Sequence, residues 1–244
     1  MRWATGVCYF CAMNPIFQIL YEDNHLIAVN KPAGWLVQGD QTGDRPLAEY
    51  VKDYIRDRYK KPGAVYLGTI HRLDRPVSGV VVFARTSKAL TRMNKMFHDR
   101  KVEKTYWAIT DMRPEPFQGH LTHYIYKDHT RNKSTALERM SNRHSDAKQA
   151  DLDYDLLASV EGSHLLVVNP ITGRPHQIRV QLAKIGCPIR GDLKYGDEKV
   201  NEDGTICLHC RSLSFEHPVK NIPVRITAKP PMDLQIWQKY GHLV

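Results

Sequence analysis

No apolar run in this chain approaches the ~20 residues that a membrane-spanning helix needs, so a soluble protein is expected. Residues 1–13 carry Arg2 and several apolar side chains but no convincing cleavage site, which argues against a secretory leader. Cysteine is scarce and odd in number, five in 244 residues, and this points away from a disulfide framework toward a reducing, cytoplasmic compartment. Internal repeats and coiled-coil heptads are absent, which removes solenoids and long coiled helices. Acidic residues are outnumbered: 26 Asp and Glu stand against 35 Lys and Arg, a formal net charge of +9 at pH 7. Such a balance points to a polyanionic partner, with nucleic acid ahead of a membrane surface.

A chain of this length can bury a sizeable core, and hydrophobic residues at 42% are ordinary for a globular protein. One string stands out: His71-Arg72-Leu73-Asp74-Arg75-Pro76-Val77-Ser78-Gly79, between an apolar run ending at Ile70 and the strand-like run 80–84. It holds one carboxylate among three basic side chains, which favour its charge and keep it nucleophilic. Pro76 fixes one φ and Gly79 is free to take a positive one, so the string reads as a rigid mount for Asp74 at the mouth of a sheet. The same residues also fit a plain turn in which Asp74 pairs with Arg72 or Arg75.

Taken in order, residues 17–21 and 25–30 read as strands around an acidic turn. Apolar and aromatic residues at Leu47, Tyr50, Val51 and Tyr54 predict a helix over 47–59, with Pro46 in its first turn. A second helix is predicted over 87–98, with Leu90, Met93 and Phe97 inside and Lys88, Arg92 and Lys95 on a face that is either solvated or set against phosphate. Residues 101–110 alternate as a strand that could project Tyr106 into a cleft, although a strand tyrosine is more often core. Residues 127–148 read as a basic loop or hairpin suited to embracing RNA. Paired strands follow over 150–157 and 163–169 about Glu161-Gly162, with Asp151, Asp153 and Asp155 on one solvent-facing side and no calcium-loop pattern after them. A helix is expected from Pro175 to its stop at Gly186, with Arg179 beside the apolar stripe and able to reach a rim. Strands over 206–215 and 224–227 and a closing helix over 232–240 complete an α+β fold with a mixed, largely antiparallel sheet.

Two cysteine pairs, Cys8/Cys11 and Cys207/Cys210, have ligand spacing, and His209 and His217 lie near the second. Because the second pair sits in a strand-like run whose alternate residues face opposite sides, no metal site is expected.

Taken together, His71 to Gly79 resembles the central motif of the RluA family of pseudouridine synthases, and other segments fit the same family in order. Asn30-Lys31-Pro32-Ala33-Gly34 resembles its first motif, Lys104-Thr105-Tyr106 the segment with its active-site tyrosine, and Thr172 to Val180 the one with its arginine. Gly186 to Asp192, Leu208-His209 and His217-Pro218 also fit, so the resemblance covers residues 17–229. Val77 departs from it, standing where the family usually has Thr. The resemblance implies a pseudouridine synthase fold with a central cleft, without a preceding RNA-binding module. Residues 1–13 are then expected to be a non-native or disordered extension with Met13 the natural start, and residues 14–244 the catalytic domain.

The resemblance further implies Asp74, Tyr106 and Arg179 as catalytic residues, with Arg179 pairing with Asp74 and orienting it. Arg72, His71, Arg75, Lys31, Arg174 and His176 are the candidates for RNA contact or base flipping; Arg72 is the expected wedge, and Lys31 alternatively supports the neighbouring loop. Isomerising uridine needs no redox cofactor, so none is expected. The partner is RNA, transfer or ribosomal, with no membrane contact and no obligate protein partner inferred. A non-catalytic RNA-binding protein would share the basic surface but not the Asp74, Tyr106 and Arg179 set. A glycosidase would want a second carboxylate in an equally marked context, which is lacking.

Overall fold

The computed structural model describes residues 17–140, 142–198, 201 and 204–244. Met13 and the Cys8/Cys11 pair lie outside them. The elements run β1 (Gln18–Glu22), β2 (Leu26–Lys31), α1 (Leu47–Arg58), β3 (Gly68–Thr69), β4 (Ser78–Ala84), α2 (Ser87–His98), β5 (Glu103–Thr110), β6 (Gln118–Asp128), β7 (Lys133–Leu137), β8 (Lys148–Val160), β9 (Ser163–Pro170), α3 (Gln177–Lys184), β10 (Leu208–Glu216), β11 (Pro223–Thr227) and α4 (Gln235–Gln238). The strands form one sheet in the order β1-β2-β4-β10-β5-β9-β8-β6-β7, with β11 beside β10 and β3 beside β4. The β4/β10 pair is parallel and the other pairs are antiparallel, so the expected α+β, largely antiparallel architecture is what forms.

Chemistry along each run explains its place. Every residue of β4 is buried, as suits an unbroken apolar strand with neighbours on both edges. Where β4 meets β10, Gly79 takes φ +116°, and a Cβ there would lie 2.3 Å from the Cys210 carbonyl oxygen. Only glycine admits that approach, so this residue fixes the seam against which the Asp74 turn is built. On α2, Thr86 accepts the Ala89 N–H at 3.2 Å as the N-cap, and Ala89 and Met93 are buried. On its basic face Arg92 donates to the Pro218 carbonyl at 2.6 Å and Lys95 pairs with Asp99 at 3.0 Å, while Lys88 is exposed. On α1, Pro46 is the cap rather than a first-turn residue, and Leu47, Ala48, Val51 and Ile55 supply the buried stripe.

Of the two forms expected for the basic segment it takes the hairpin, built from β6 and β7, and β6, eleven residues long, goes beyond the sequence reading. Two further expectations are corrected. Asp151 does not face solvent: it is buried, accepting from Thr122 Oγ1 at 2.9 Å and Gln149 Nε2 at 3.1 Å. At the C-terminus α4 is a single turn. Its buried Trp237 and, just beyond it, the buried Tyr240 supply the anchorage, and the N–H groups of both bond three residues back, to Leu234 and Trp237.

Candidate active site

Asp74 sits in a turn between β3 and β4, closed by the Val77 N–H donating to the Asp74 carbonyl at 3.0 Å across Arg75-Pro76. Val77 contributes its backbone to that turn while its side chain enters the core, so losing a Thr hydroxyl leaves the turn intact. Beneath the turn stands Lys31, fully buried, whose ammonium donates to the carbonyls of Pro32 at 3.0 Å, Trp35 at 2.8 Å and Arg75 at 3.1 Å. Burial draws its pKa down to about 7 against the pull of Asp74. All three of its donors are spent on backbone, so Lys31 props the loop. His71 is likewise structural: its Nε2 accepts the Val82 N–H at 3.0 Å and its ring stacks on Phe97. Burial, then the charge of Lys104, lowers its pKa to about 4, which keeps it a neutral acceptor.

Arg179 comes from α3. That helix begins after His176, which adopts φ +56°, and it is pinned by Gln177. The Gln177 Oε1 accepts from Thr172 Oγ1 at 2.7 Å and from the Arg174 N–H at 3.0 Å, while its amide donates to the Asp151 carbonyl at 3.0 Å. The buried Asp151 and the Thr-Gly-Arg-Pro-His-Gln string thus belong to one clamp that aims the helix.

Arg179 does not lie at a rim; it is 5% exposed. Its Nε and Nη2 make a two-pronged pair with Asp192 at 2.6 and 2.8 Å, and its Nη1 donates to Asp74 Oδ2 at 3.0 Å. Burial alone would lower the guanidinium pKa; the Asp192 and Asp74 contacts outweigh it and raise it. Asp192, also buried, received no role from the sequence although it ends a motif-like segment, Gly186 to Asp192. The signal was present, but its partner stands 13 residues earlier.

Tyr106, on β5 and registered opposite Cys210 of β10, faces the same pocket. Burial, then Cys210 and Asp74, pushes its phenol well above the ordinary value, so it stays protonated at neutral pH. The pocket, about 140 Å³, has apolar walls from Leu73, Val77, Ile178 and Leu208, with Asp74 and Tyr106 in its lining. It opens into a cleft of about 1400 Å³ edged by Arg72, Arg75, Arg100, Lys127, Arg174 and Lys194. Arg72 is exposed there, while Arg75 is held by the Gly34 carbonyl at 3.0 Å and Asp44 at 2.7 Å. Arg174 donates to the Gln149 carbonyl at 2.9 Å. His176 lies 3.9 Å from Asp74 Oδ2, with Nδ1 2.6 Å from the Tyr195 hydroxyl; burial lowers its pKa to about 4.

The histidines near Cys207 and Cys210 are committed elsewhere. His209 contacts Ser78 Oγ at 2.8 Å and the Ala228 carbonyl at 3.2 Å, and His217 joins Asp23 at 2.9 Å while accepting two backbone N–H groups.

A single carboxylate bound to a buried, anchored guanidinium, beside a protonated tyrosine in a small apolar pocket off a basic cleft, suits chemistry on one base of a polyanion. A sequence profile of the family described as RNA pseudouridylate synthase matches residues 25–184, the stretch that holds Lys31, Asp74, Tyr106 and Arg179. The chain belongs to the RNA pseudouridylate synthase family. It is thus an isomerase, and the RluA-type resemblance of its motifs holds.

Relatives agree across most of the synthase. It is 34% identical to the tRNA pseudouridine synthase C of Haemophilus ducreyi, covering 90% of this chain and 92% of the relative. To the tRNA pseudouridine synthase C of Yersinia pestis it is 30% identical, covering 88% and 86%. To the ribosomal large subunit pseudouridine synthase C of Rickettsia bellii it is 33% identical, covering 87% and 68%. The solved structure of human RNA Pseudouridylate Synthase Domain Containing 4 superposes with a TM-score of 0.73 at 26% identity over 92% of both chains.

Proposed function

We propose that this synthase converts specific uridines of transfer or ribosomal RNA to pseudouridine with Asp74 as its catalytic carboxylate. One observation carries the assignment: the buried Arg179, locked by Asp192, holds Asp74 Oδ2 at 3.0 Å at the mouth of the pocket. The reaction breaks the C1′–N1 bond, turns the uracil and joins C5 to C1′. A fixed carboxylate serves the ribose carbon either by attack or by stabilising positive charge, as in retaining glycoside chemistry. Tyr106 supplies a flat face for the uracil; as a protonated phenol it is a platform and a hydrogen-bond donor rather than a base. Arg179 positions the carboxylate. Arg75, Arg174 and His176 line the approach and meet the RNA backbone.

The target base has to leave its stack, at a cost of a few kcal/mol, and Arg72, exposed beside Asp74, fills the vacated space. Arg72→Ala is expected to slow the reaction about tenfold or more on a folded stem-loop and to change little on an unstructured oligonucleotide. Equal loss on both RNAs would remove the wedge role.

Relatives at similar identity are named for transfer RNA and for ribosomal RNA, so both RNA classes enter the test. The synthase is to be incubated with unmodified transfer RNA and, separately, ribosomal RNA, and new pseudouridines mapped by carbodiimide-dependent reverse-transcription stops. A site in either class supports the reading and names the substrate. None in either, with RNA bound, overturns it.

A further inference from the structure

Lys104 is a cation in the reaction pocket that the assignments above leave without work. It lies on β5 two residues before Tyr106; the β5/β10 register shifts between Cys210 and Ser212, on the β10 side, and within β5 the two positions are alternate residues whose side chains reach the same pocket. With Tyr106 it lines both the small pocket and the wider cleft. Among the described residues, its ammonium reaches one hydrogen-bond acceptor, the Val102 carbonyl at a long 3.4 Å, and it forms no ion pair. An ammonium has three donors, so at least two remain to meet a ligand. Burial lowers its pKa, with Cys210 opposing and Arg100 reinforcing the shift. A half-buried cation without a carboxylate partner is costly, and a ligand that brings negative charge into the pocket relieves that cost.

The chemistry supplies such a charge. When the C1′–N1 bond breaks, its electron pair stays with the uracil, spread over N1, O2 and O4, while Asp74 satisfies the ribose carbon. When the C5–C1′ bond forms, that pair is drawn back; C5 then releases its proton to water and N1 takes one up, so the isomer balances. The negative charge on the base is thus transient, and a group that meets it acts in the transition state.

Resting on the reading of Asp74 and Tyr106 given above, we infer that Lys104 is a further catalytic residue, whose ammonium stabilises the uracil anion released when the glycosidic bond breaks. Its position separates this role from phosphate binding. Arg75, Lys127 and Lys194 edge only the open cleft, where an RNA backbone passes, whereas Lys104 also lines the small pocket, half-buried, and Arg72, which lines both, is exposed. A cation in such surroundings acts on nearby charge more strongly than one in solvent.

The test uses the full chain and an RNA that wild type modifies. Pseudouridine formation by wild type and its loss in D74N, run alongside, establish the underlying reading, and absence of product from wild type would fail that reading rather than this one. Lys104→Met is expected to lower the single-turnover rate at saturating enzyme about 10²-fold, with RNA affinity and melting temperature unchanged, and Lys104→Arg to recover part of the rate. On RNA carrying 5-fluorouridine, whose base is the more stable anion, the deficit of K104M in consuming the fluorinated uridine, whether released or still attached to the enzyme, is expected to shrink about tenfold. A purely structural lysine would show the same deficit on both RNAs, and that result overturns the inference. So does weaker binding with a salt slope lowered by about one charge and an intact saturating rate, which marks a phosphate contact. An unchanged rate overturns it too. Should K104M fail to fold, K104Q is carried through the same comparison.

Discussion

Asp74→Asn is expected to lower the single-turnover rate by at least about 10⁴-fold while leaving RNA binding within about twofold and the fold intact. The amide keeps the shape of the side chain but removes the charge that either attacks the ribose carbon or stabilises it. Stability should be spared because Arg179 retains its two-pronged pair with Asp192, so the substitution strands no buried charge. Asp74 itself is partly open to the pocket, with 31% of its side chain exposed, and an uncharged group is tolerated there. The proposal places RNA affinity in the basic edges of the cleft, to which one carboxylate at the pocket is expected to contribute little. Fluorescence-detected RNA binding and a melting curve on the same preparation check both halves of the expectation.

The second large effect is expected at Asp192, which touches no part of the proposed substrate. Asp192→Asn replaces the two-pronged charged pair of the buried Arg179 with a neutral partner and leaves the half-exposed Asp74 as its remaining carboxylate, which compensates the guanidinium less well. The expected loss is about 3 kcal/mol of stability in urea unfolding. The rate should fall about 10²-fold as well, because Arg179 is then free to turn and Asp74 loses the bond that fixes its carboxylate. A decisive readout is the combination with Asp74→Asn. Positioning through Asp74 makes the rate effects strongly non-additive, so the double variant should be no slower than Asp74→Asn alone. Additive losses would place Asp192 in a separate role.

Much of this site was legible in the sequence, for reasons that can be located. Asp74, Tyr106 and Arg179 are marked by short strings whose order along the chain is itself informative, and the family match over residues 25–184 includes all three. The elements around them were visible because residues 80–84 are an apolar run after the Asp74 turn, residues 101–110 alternate in sequence, and Ile178 and Leu182 mark the apolar side of the helix that carries Arg179. The errors share a physical origin. Charged side chains are usually solvated, so the sequence places Arg179 at a rim and Asp151 on a solvent-facing side, and it leaves Lys31 between an RNA groove and loop support. Each is instead buried against partners distant in sequence: Arg179 on Asp192, Lys31 on the Arg75 carbonyl, Asp151 on Thr122 and the Gln177 clamp. A period of 2 or 3.6 reports which face turns inward, but not that a polar group has found a buried partner. His71 follows the same logic, since a ring that accepts a strand N–H looks, in sequence, like a ring available to substrate.

The inner shell around Asp74 therefore divides in two. Lys31 and His71 hold the turn from below, while Asp192 and the Gln177 clamp aim Arg179 from the side. Neither group needs to touch RNA, and both explain why a carboxylate on a loop can be held in one place. The cationic residues that face the cleft, Arg72, Arg75 and Arg174 among them, carry few or exposed internal contacts, and the proposal gives them the phosphates and bases.

The measurement that bears most directly on the central assignment is release of tritium from C5-labelled uridine in the RNA class that the synthase modifies, comparing wild type with Asp74→Asn under single-turnover conditions. Wild type is expected to release one tritium per pseudouridine formed, and Asp74→Asn none above background despite binding the RNA equally. Release by Asp74→Asn at a rate near that of wild type would contradict the account.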